Sequence, residues 1–505
     1  MKYINEIILG NNLNILPTLP SEKFNCCVTS PPYFGLRDYG IEPVIWDEDK
    51  NCKHEWDNKT ITLKHKSGET NPGKESWYKD KGASDDKGNC FCLKCGAWRG
   101  SLGLEPTIEL YIKHLCDIFD QVKRALRKDG TCFVNLGDSY AGSGKGIGTD
   151  RSKCKESYSD NDIKKSNWQD ISILSKSLCL IPQRFVIEMV NRGWIARNVL
   201  IWHKTNCMPS SANDRFTVDF EDVFFFTKNN KAIFWTNEKT LECIDKQPPG
   251  TKGIEGKDWE WRPCLICQDN SEIICSRCKG SGKVKYSFWT GHDYWFEQAF
   301  EAHTSTRWGG TNDSKCKDGE YALPNYKPGV RSHKNDYSPQ GRNKRAVWTI
   351  PTKPFPEAHF AVYPETLIEP MIQAGCPRYV YKKCGKARVK IYEGKSENAF
   401  NIGARDTREG RFKEKWGTTQ KTRPHYEKYQ GDKEFAGEGR KFIGYTDCGC
   451  NAGFEGGIVL DPFGGVGTTG KVAKKQGKRY IIIEIKKEYI DMANKGIRRI
   501  PELLF

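Results

Sequence analysis

The 505-residue sequence predicts an α/β fold, a doubly wound and mostly parallel sheet interrupted by polar insertions. Three observations lead there. Strand-like and helix-like stretches alternate over much of the chain. A glycine-rich turn, Asp461-Pro462-Phe463-Gly464-Gly465-Val466-Gly467-Thr468, joins such a strand to such a helix. Two long polar segments without regular periodicity, residues 41–104 and 381–455, separate the regular parts.

In chain order, Phe24–Thr29 (FNCCVT) reads as a short buried strand. Pro31 and Pro32 end it, because consecutive prolines neither extend a ladder nor enter a helix interior. Ile108, Tyr111, Leu115, Ile118, Val122 and Leu126 recur at spacings of three and four, which predicts a helix over Glu105–Lys128. Pro106 suits its first turn and Gly130 follows its end. Thr131–Gly137 is the next strand, and the glycine-rich Ala141–Asp170 reads as a loop. A helix over Pro182–Asn191 and strands at Ala196–Trp202 and Asp222–Thr227 follow. Residues 230–345 lose the rhythm and read as a separate module. Strand Gly457–Asp461, helix Thr468–Gln476, strand Arg479–Ile485 and helix Lys487–Arg498 then form a βαβ unit. The core is thus expected in residues 1–40, 105–229, 346–380 and 456–505.

Net charge is +16, and residues 382–441 hold 17 Lys and Arg against 9 Asp and Glu, half of that excess. Such a balance favours a polyanionic partner through phosphate contacts and counterion release. No apolar run approaches the roughly 20 residues of a membrane-spanning helix. The first residues, MKYINEIILGNN, lack a signal-peptide pattern. Twenty-one cysteines in a long chain without a secretion signal point to a reducing compartment and metal sites rather than disulfides.

The glycine turn can bring backbone N–H donors at a helix start close to a ligand. Glu484, ending the next strand about 20 residues on, stands where an acid accepts from ribose hydroxyls. Together they indicate an adenosine-containing ligand, and FGGVGTTG is not the GxGxxG of a dinucleotide site. Thr29-Ser30-Pro31-Pro32-Tyr33 follows a buried strand at the sheet edge where ligands bind. Ser30 Oγ and the Pro31 carbonyl can accept from a substrate NH2, with the prolines holding them in direction. Tyr33 can stack on a base turned out of its helix.

The cysteines group by spacing. Cys264, Cys267, Cys275 and Cys278 form CxxC-x7-CxxC, a four-thiolate zinc pattern. Cys52, His54, Cys92 and Cys95 suggest a second zinc closing the first insertion at its base, with Cys90 as a competing ligand. A third, incomplete set comprises Cys384, Cys448 and Cys450; the position that would complete a CxxC is Tyr381, and Cys376 is a candidate substitute.

Taken together, TSPPY followed by DPFGGVGTTG resembles the beta-type DNA amino-methyltransferases of bacteria and phages, in which the catalytic motif precedes the cofactor motif. Gly35–Gly40, Leu136–Gly142, Ile201–Lys204, Arg342–Trp348 and His359–Pro364 match the same phrasing. The resemblance implies a Rossmann-like methyltransferase core in permuted motif order, to which the cysteine spacing adds zinc-binding insertions. It implies S-adenosylmethionine as methyl donor and duplex DNA as substrate. Ser30, Pro31, Pro32 and Tyr33 match the catalytic motif. Asn11, Thr29, Asp461, Phe463, Gly464, Gly465, Gly467, Thr468 and Glu484 match the cofactor region, and His359, Phe360 and Ala361 the segment closing over it. Gly10-Asn11 departs from the family's usual Gly-Asp. Serine rather than an acid before the prolines is the N4-cytosine form; N6-adenine methylation and a non-catalytic zinc DNA-binding protein are the alternatives. Target recognition is expected in 230–345. Also implied are a bacterial or phage-infected cytoplasm and a cognate restriction endonuclease as candidate partner, with monomer and dimer both open.

Overall fold

The computed structural model describes residues 3–35, 41–57, 90–141, 173–174, 176–210, 212–248, 259–263, 281, 283–301, 342–353, 362–392 and 442–501. An eight-stranded sheet forms its centre. Numbered along the chain, its strands are β1 (Glu6–Leu9), β2 (Phe24–Thr29), β3 (Leu126–Leu136), β4 (Ile195–His203), β5 (Phe220–Thr227), β6 (Val347–Thr349), β7 (Ile458–Asp461) and β8 (Arg479–Glu484). In space they run β1-β8-β7-β2-β3-β5-β4-β6. All neighbouring pairs are parallel except those made by β5, which is antiparallel to both β3 and β4.

Helices cover both faces, because the strands are apolar on both. On β8, Ile481 and Ile483 pack toward α1 (Ile108–Ala125) and α2 (Ile181–Asn191). Tyr480 and Ile482 on the same strand pack toward α3 (Glu365–Gly375), α4 (Thr468–Lys475) and α5 (Lys487–Arg498). This two-residue alternation divides the core into two layers. Each fully buried side chain such as Leu115, Phe119 or Leu367 contributes roughly 1.5–3 kcal/mol.

Three differences from the sequence expectation have physical causes. The helix predicted through Lys128 stops at Ala125, because Leu126 turns extended and begins β3. Lys228 Nζ donates to the carbonyls of Lys123 (2.8 Å) and Leu126 (2.6 Å), closing that end. β5 returns antiparallel because no helix separates it from β4, and a parallel return needs a long crossover. Helix α3 was hidden in the sequence by Pro370 in its interior.

The root of the first insertion is a three-stranded antiparallel sheet of Val44–Trp46, Trp98–Gly100 and Cys90–Phe91. His114, fully buried on α1, ties it to the core. Its Nδ1 lies 3.1 Å from Glu105 Oε1 and its Nε2 3.3 Å from Asp47 Oδ2. Its ring stacks on Trp46 and Trp98 at centroid distances of 4.4 and 5.5 Å. Glu105 also accepts from the Gly103 N–H at 2.7 Å, while its burial pushes its pKa up. The Glu105 carboxyl therefore depends on these partners.

Residues 230–345 contribute small sheets: Phe234–Asn237 with Cys243–Ile244 and Trp289–His292, and the pair Trp259–Pro263 with Lys283–Ser287. Among the described residues no helix is long and apolar enough to cross a membrane. Most of the basic segment (393–441) and most of the Ala141–Asp170 stretch lie outside the described residues.

His114→Leu removes both ring nitrogens and leaves Glu105 buried without its partner. Chemical denaturation is expected to show a loss of about 3–5 kcal/mol; a loss under about 1 kcal/mol would show that the histidine does not secure the insertion.

Candidate active site

The carboxyl ends of β1, β8, β7, β2, β3 and β4 meet at one edge of the sheet. Because β5 is antiparallel, its first residues reach the same edge. A cavity of about 650 Å³ opens there, within the usual range for small-molecule sites.

One wall comes from the glycine turn. Gly467 adopts φ +72° as α4 begins, and a Cβ there would lie 2.7 Å from Ala493 Cβ, so the turn requires glycine. Phe463, Gly464, Gly465 and Thr468 line the cavity, whereas Gly467 shapes the turn from behind. Glu484 lines it from the end of β8. Its Oε2 accepts from the Gly465 N–H at 2.7 Å and its Oε1 from the Lys486 N–H at 2.9 Å. Burial pushes its pKa up to about 6. A carboxylate has about four lone-pair sites, so Glu484 keeps capacity for a further donor.

Asn11 also borders the cavity, but its side chain accepts from the Leu13 N–H at 3.0 Å and caps the turn Asn12–Ile15. Its neighbour Asn12 was not anticipated. Asn12 Nδ2 donates to the Pro462 carbonyl at 2.7 Å, and its Oδ1 is a buried acceptor that finds no partner among the described residues, on a residue that lines the cavity. A buried orphan acceptor costs about 1–3 kcal/mol unless something donates to it. The cavity thus suits a ligand carrying donor groups.

Thr29 and Asp461, expected at the cofactor, do not reach the cavity. Both are buried, and Thr29 Oγ1 donates to Asp461 Oδ1 at 2.6 Å. Asp461 also accepts from the Phe463 N–H at 3.0 Å and from Tyr363 OH at 3.2 Å. Burial raises the pKa of Asp461, and these bonds offset that. The pair clamps the two loops together from beneath.

A second part of the lining is the proline loop. Ser30, Pro31, Pro32 and Tyr33 all line the cavity. Tyr111 OH, from α1, donates to the Pro32 carbonyl at 2.7 Å and fixes the loop's path. The Tyr33 ring lies over Gly137, where a Cβ would come within 2.6 Å of Cε2. Its OH donates to Glu221 Oε2 at 2.8 Å and approaches Asn135 Oδ1 at 3.3 Å. Ser30 Oγ lies 3.4 Å from Tyr33 OH. Asn135 Nδ2 donates to Glu221 Oε2 at 3.0 Å, and Lys204 Nζ pairs with Glu221 Oε1. A carboxylate, an ammonium and a phenol therefore stand behind Ser30. Sequence reasoning passed over Glu221 although it immediately precedes a predicted strand. A parallel strand would have put its first residue at the far edge; only the antiparallel direction of β5 brings Glu221 here.

Cys52, His54, Cys92 and Cys95 come together as predicted, their ligand atoms all within 4.8 Å of one another. Cys52 and Cys92 sulfurs are 3.9 Å apart, and Cys95 Sγ is 3.5 Å from His54 Nδ1. Cys90 sits in its strand and is not part of the group. Cys384, Cys448 and Cys450 also cluster. Cys376 does not join them; it is buried in the core at the end of α3. Cys264, Cys267, Cys275, Cys278, His359, Phe360 and Ala361 lie outside the described residues.

The sequence is 22% identical over 501 residues to the type II methyltransferase M.SmaI of Serratia marcescens, covering 98% of this chain and 91% of the relative. It is 22% identical over 484 residues to M.Cfr9I of Citrobacter freundii, covering 96% and 84%. Against M.SfiI of Streptomyces fimbriatus it is 27% identical over 256 residues, 50% of this chain and 44% of that one. Among solved structures, the PvuII DNA methyltransferase (cytosine-N4-specific) aligns over 99% of this chain and 88% of its own, at 12% identity and a TM-score of 0.37. The profile of the N6/N4 DNA methylases matches residues 24–379 and 451–495. The chain belongs to the N6/N4 DNA methylase family.

Proposed function

We propose that this protein methylates DNA on an exocyclic base amine, with N4 of cytosine as the target atom and S-adenosylmethionine as donor. The observation that carries the reading is a shared cavity. The Ser30–Tyr33 loop and the Phe463–Gly465 turn with Glu484 all line it. One wall suits an amine acceptor and the other an adenosine.

Bound S-adenosylmethionine would supply an electrophilic methyl group on a sulfonium. Glu484 would accept from its ribose hydroxyls, and Phe463, Gly464, Gly465 and Thr468 would cradle the nucleoside. Ser30 Oγ and the Pro31 carbonyl would accept from the two N–H bonds of the target amine, aiming its nitrogen at the methyl carbon. That nitrogen is a weak nucleophile because its lone pair is delocalised into the ring, so alignment supplies much of the rate. Once the N–C bond forms, the nitrogen must shed a proton. Glu221, linked to Ser30 through Tyr33 OH, is the carboxylate placed to draw it off, and Lys204 holds that carboxylate in position. Tyr33 would also stack on the extruded base. Asn11, Thr29 and Asp461 would act through the loops they fix. The serine before the prolines supports cytosine over adenine. Net charge of +16 suits a duplex partner.

The Cys52, His54, Cys92 and Cys95 group fits zinc, since three thiols and an imidazole at these separations match its tetrahedral preference. Such an ion would brace the root of the first insertion and take no part in methyl transfer.

Nucleoside mass spectrometry of DNA from cells expressing the protein is expected to show N4-methylcytosine. N6-methyladenine in its place would move the target to adenine, and no methylated base would end the reading. Glu221→Gln is expected to slow methyl transfer by about 10²–10³-fold while shifting the dissociation constants for donor and DNA by less than about threefold. A rate near wild type would remove Glu221 from the chemistry. The raised pKa of Glu484 gives a signed pH dependence. Above about 6 the carboxylate is ionised and accepts fully; as pH falls through about 6 it gains a proton and donor affinity should drop. Titration calorimetry should find that inflection in the wild type and not in Glu484→Gln; an unchanged profile in the variant would assign the effect elsewhere.

A further inference from the structure

Besides the Cys52 group, the described residues hold a second cysteine cluster that the methyl-transfer reading does not use: Cys384, Cys448 and Cys450. Their sulfurs all lie within 4.8 Å of one another. Cys384 and Cys448 are 3.6 Å apart, and Cys448 and Cys450 are 3.0 Å apart. A tetrahedral zinc with bonds of about 2.3 Å sets its sulfurs roughly 3.8 Å apart, so one pair already stands near that spacing.

Two tight turns present these thiols. After Cys384, the Gly385 N–H donates to the Tyr381 carbonyl at 2.7 Å, with Gly385 at φ +68°. Between the other two, the Gly449 N–H donates to Asp447 Oδ1 at 3.0 Å, with Gly449 at φ +67°. Each turn holds its sulfur outward without help from a metal. Among the described residues the cluster has no fourth ligand. Tyr381 occupies the position that would complete a CxxC pair with Cys384, and its hydroxyl is committed to the Thr446 carbonyl. Cys376 is committed to the core.

We propose that Cys384, Cys448 and Cys450 bind one zinc ion through three thiolates, with solvent in the fourth position. Soft sulfur donors select zinc over the hard divalent cations. The ion would join the two roots of segment 393–441, since Cys384 precedes it and Cys448 and Cys450 follow it. It would also brace the 230–345 module. Asp447 accepts from the Cys243 N–H at 2.8 Å and donates its own N–H to the Leu241 carbonyl at 2.7 Å. Lys386 Nζ pairs with Asp245 Oδ1 at 2.7 Å. One metal would thus fix the base of the basic segment against the module beside it. This site is independent of the methyl-transfer reading.

The test uses the full chain, purified under reducing conditions and loaded with zinc chloride alone. Metal analysis of the Cys384→Ser/Cys448→Ser variant should find one zinc per chain fewer than in the wild type. Cys92→Ser, which disrupts the other cluster, serves as the control for an independent loss. Equal zinc in the double variant and the wild type would overturn the proposal, as would a Cys448–Cys450 disulfide in the reduced wild-type protein. Should the double variant fail to fold, Tyr381→Cys decides. A fourth thiolate should raise zinc affinity at least about tenfold in chelator competition, and unchanged affinity would overturn the assignment.

Discussion

Everything at this site depends on the hydrogen bond between Thr29 Oγ1 and Asp461 Oδ1. It joins the ends of two adjacent parallel strands from opposite parts of the chain. The proline loop leaves one strand and the glycine turn leaves the other. In the proposed reaction a methyl donor on one and an amine on the other would have to meet within a fraction of an ångström of the right geometry. Burial makes the bond exacting, because an Asp461 carboxyl without donors would be costly there. Tyr363 and the Phe463 N–H share the load, so the clamp also draws in the segment leading to α3.

Around this clamp the site is asymmetric in its chemistry. The donor side is built from backbone and small residues, with Glu484 as its acid. The amine side is a side-chain network in which Glu221, Lys204, Asn135 and Tyr33 satisfy one another. The first arrangement suits recognition of a fixed molecule. The second suits a proton that must move, since each member can pass or hold charge. A network fully satisfied before substrate arrives is also rigid, which favours alignment.

Much of the core was legible in the sequence because its signals are local. Phe24–Thr29 is mostly apolar and stopped by prolines, and Lys487–Arg498 carries helical periodicity; both lie where expected. The glycine turn announced itself by composition. What escaped reading was nonlocal. The direction of β5 depends on which strand it pairs with, and Glu221 could not be placed without it. Asn12 looked like any polar residue beside Asn11, and only its contact with Pro462, 450 positions away, reveals its orphaned oxygen. Thr29 and Asp461 were read as ligand contacts because they flank the motifs; in three dimensions they face each other. The first cysteine group was readable because zinc ligands tend to fall at regular spacings, but Cys376 showed that spacing alone does not tell a ligand from a core residue.

The outermost strand on the donor side, β1, pairs with β8, matching Glu6 to Ile481 and Leu9 to Glu484. On the ribosome these partners emerge at nearly opposite times. The proline loop is synthesised early, yet the clamp and the donor wall wait for residues beyond 458. A nascent chain therefore carries the proline loop long before it carries the glycine turn that borders the same cavity. With contacts this distant in sequence, folding should be slow and late. The two loops bordering the cavity are thus made 432 residues apart, and they can be joined only once the later one has emerged.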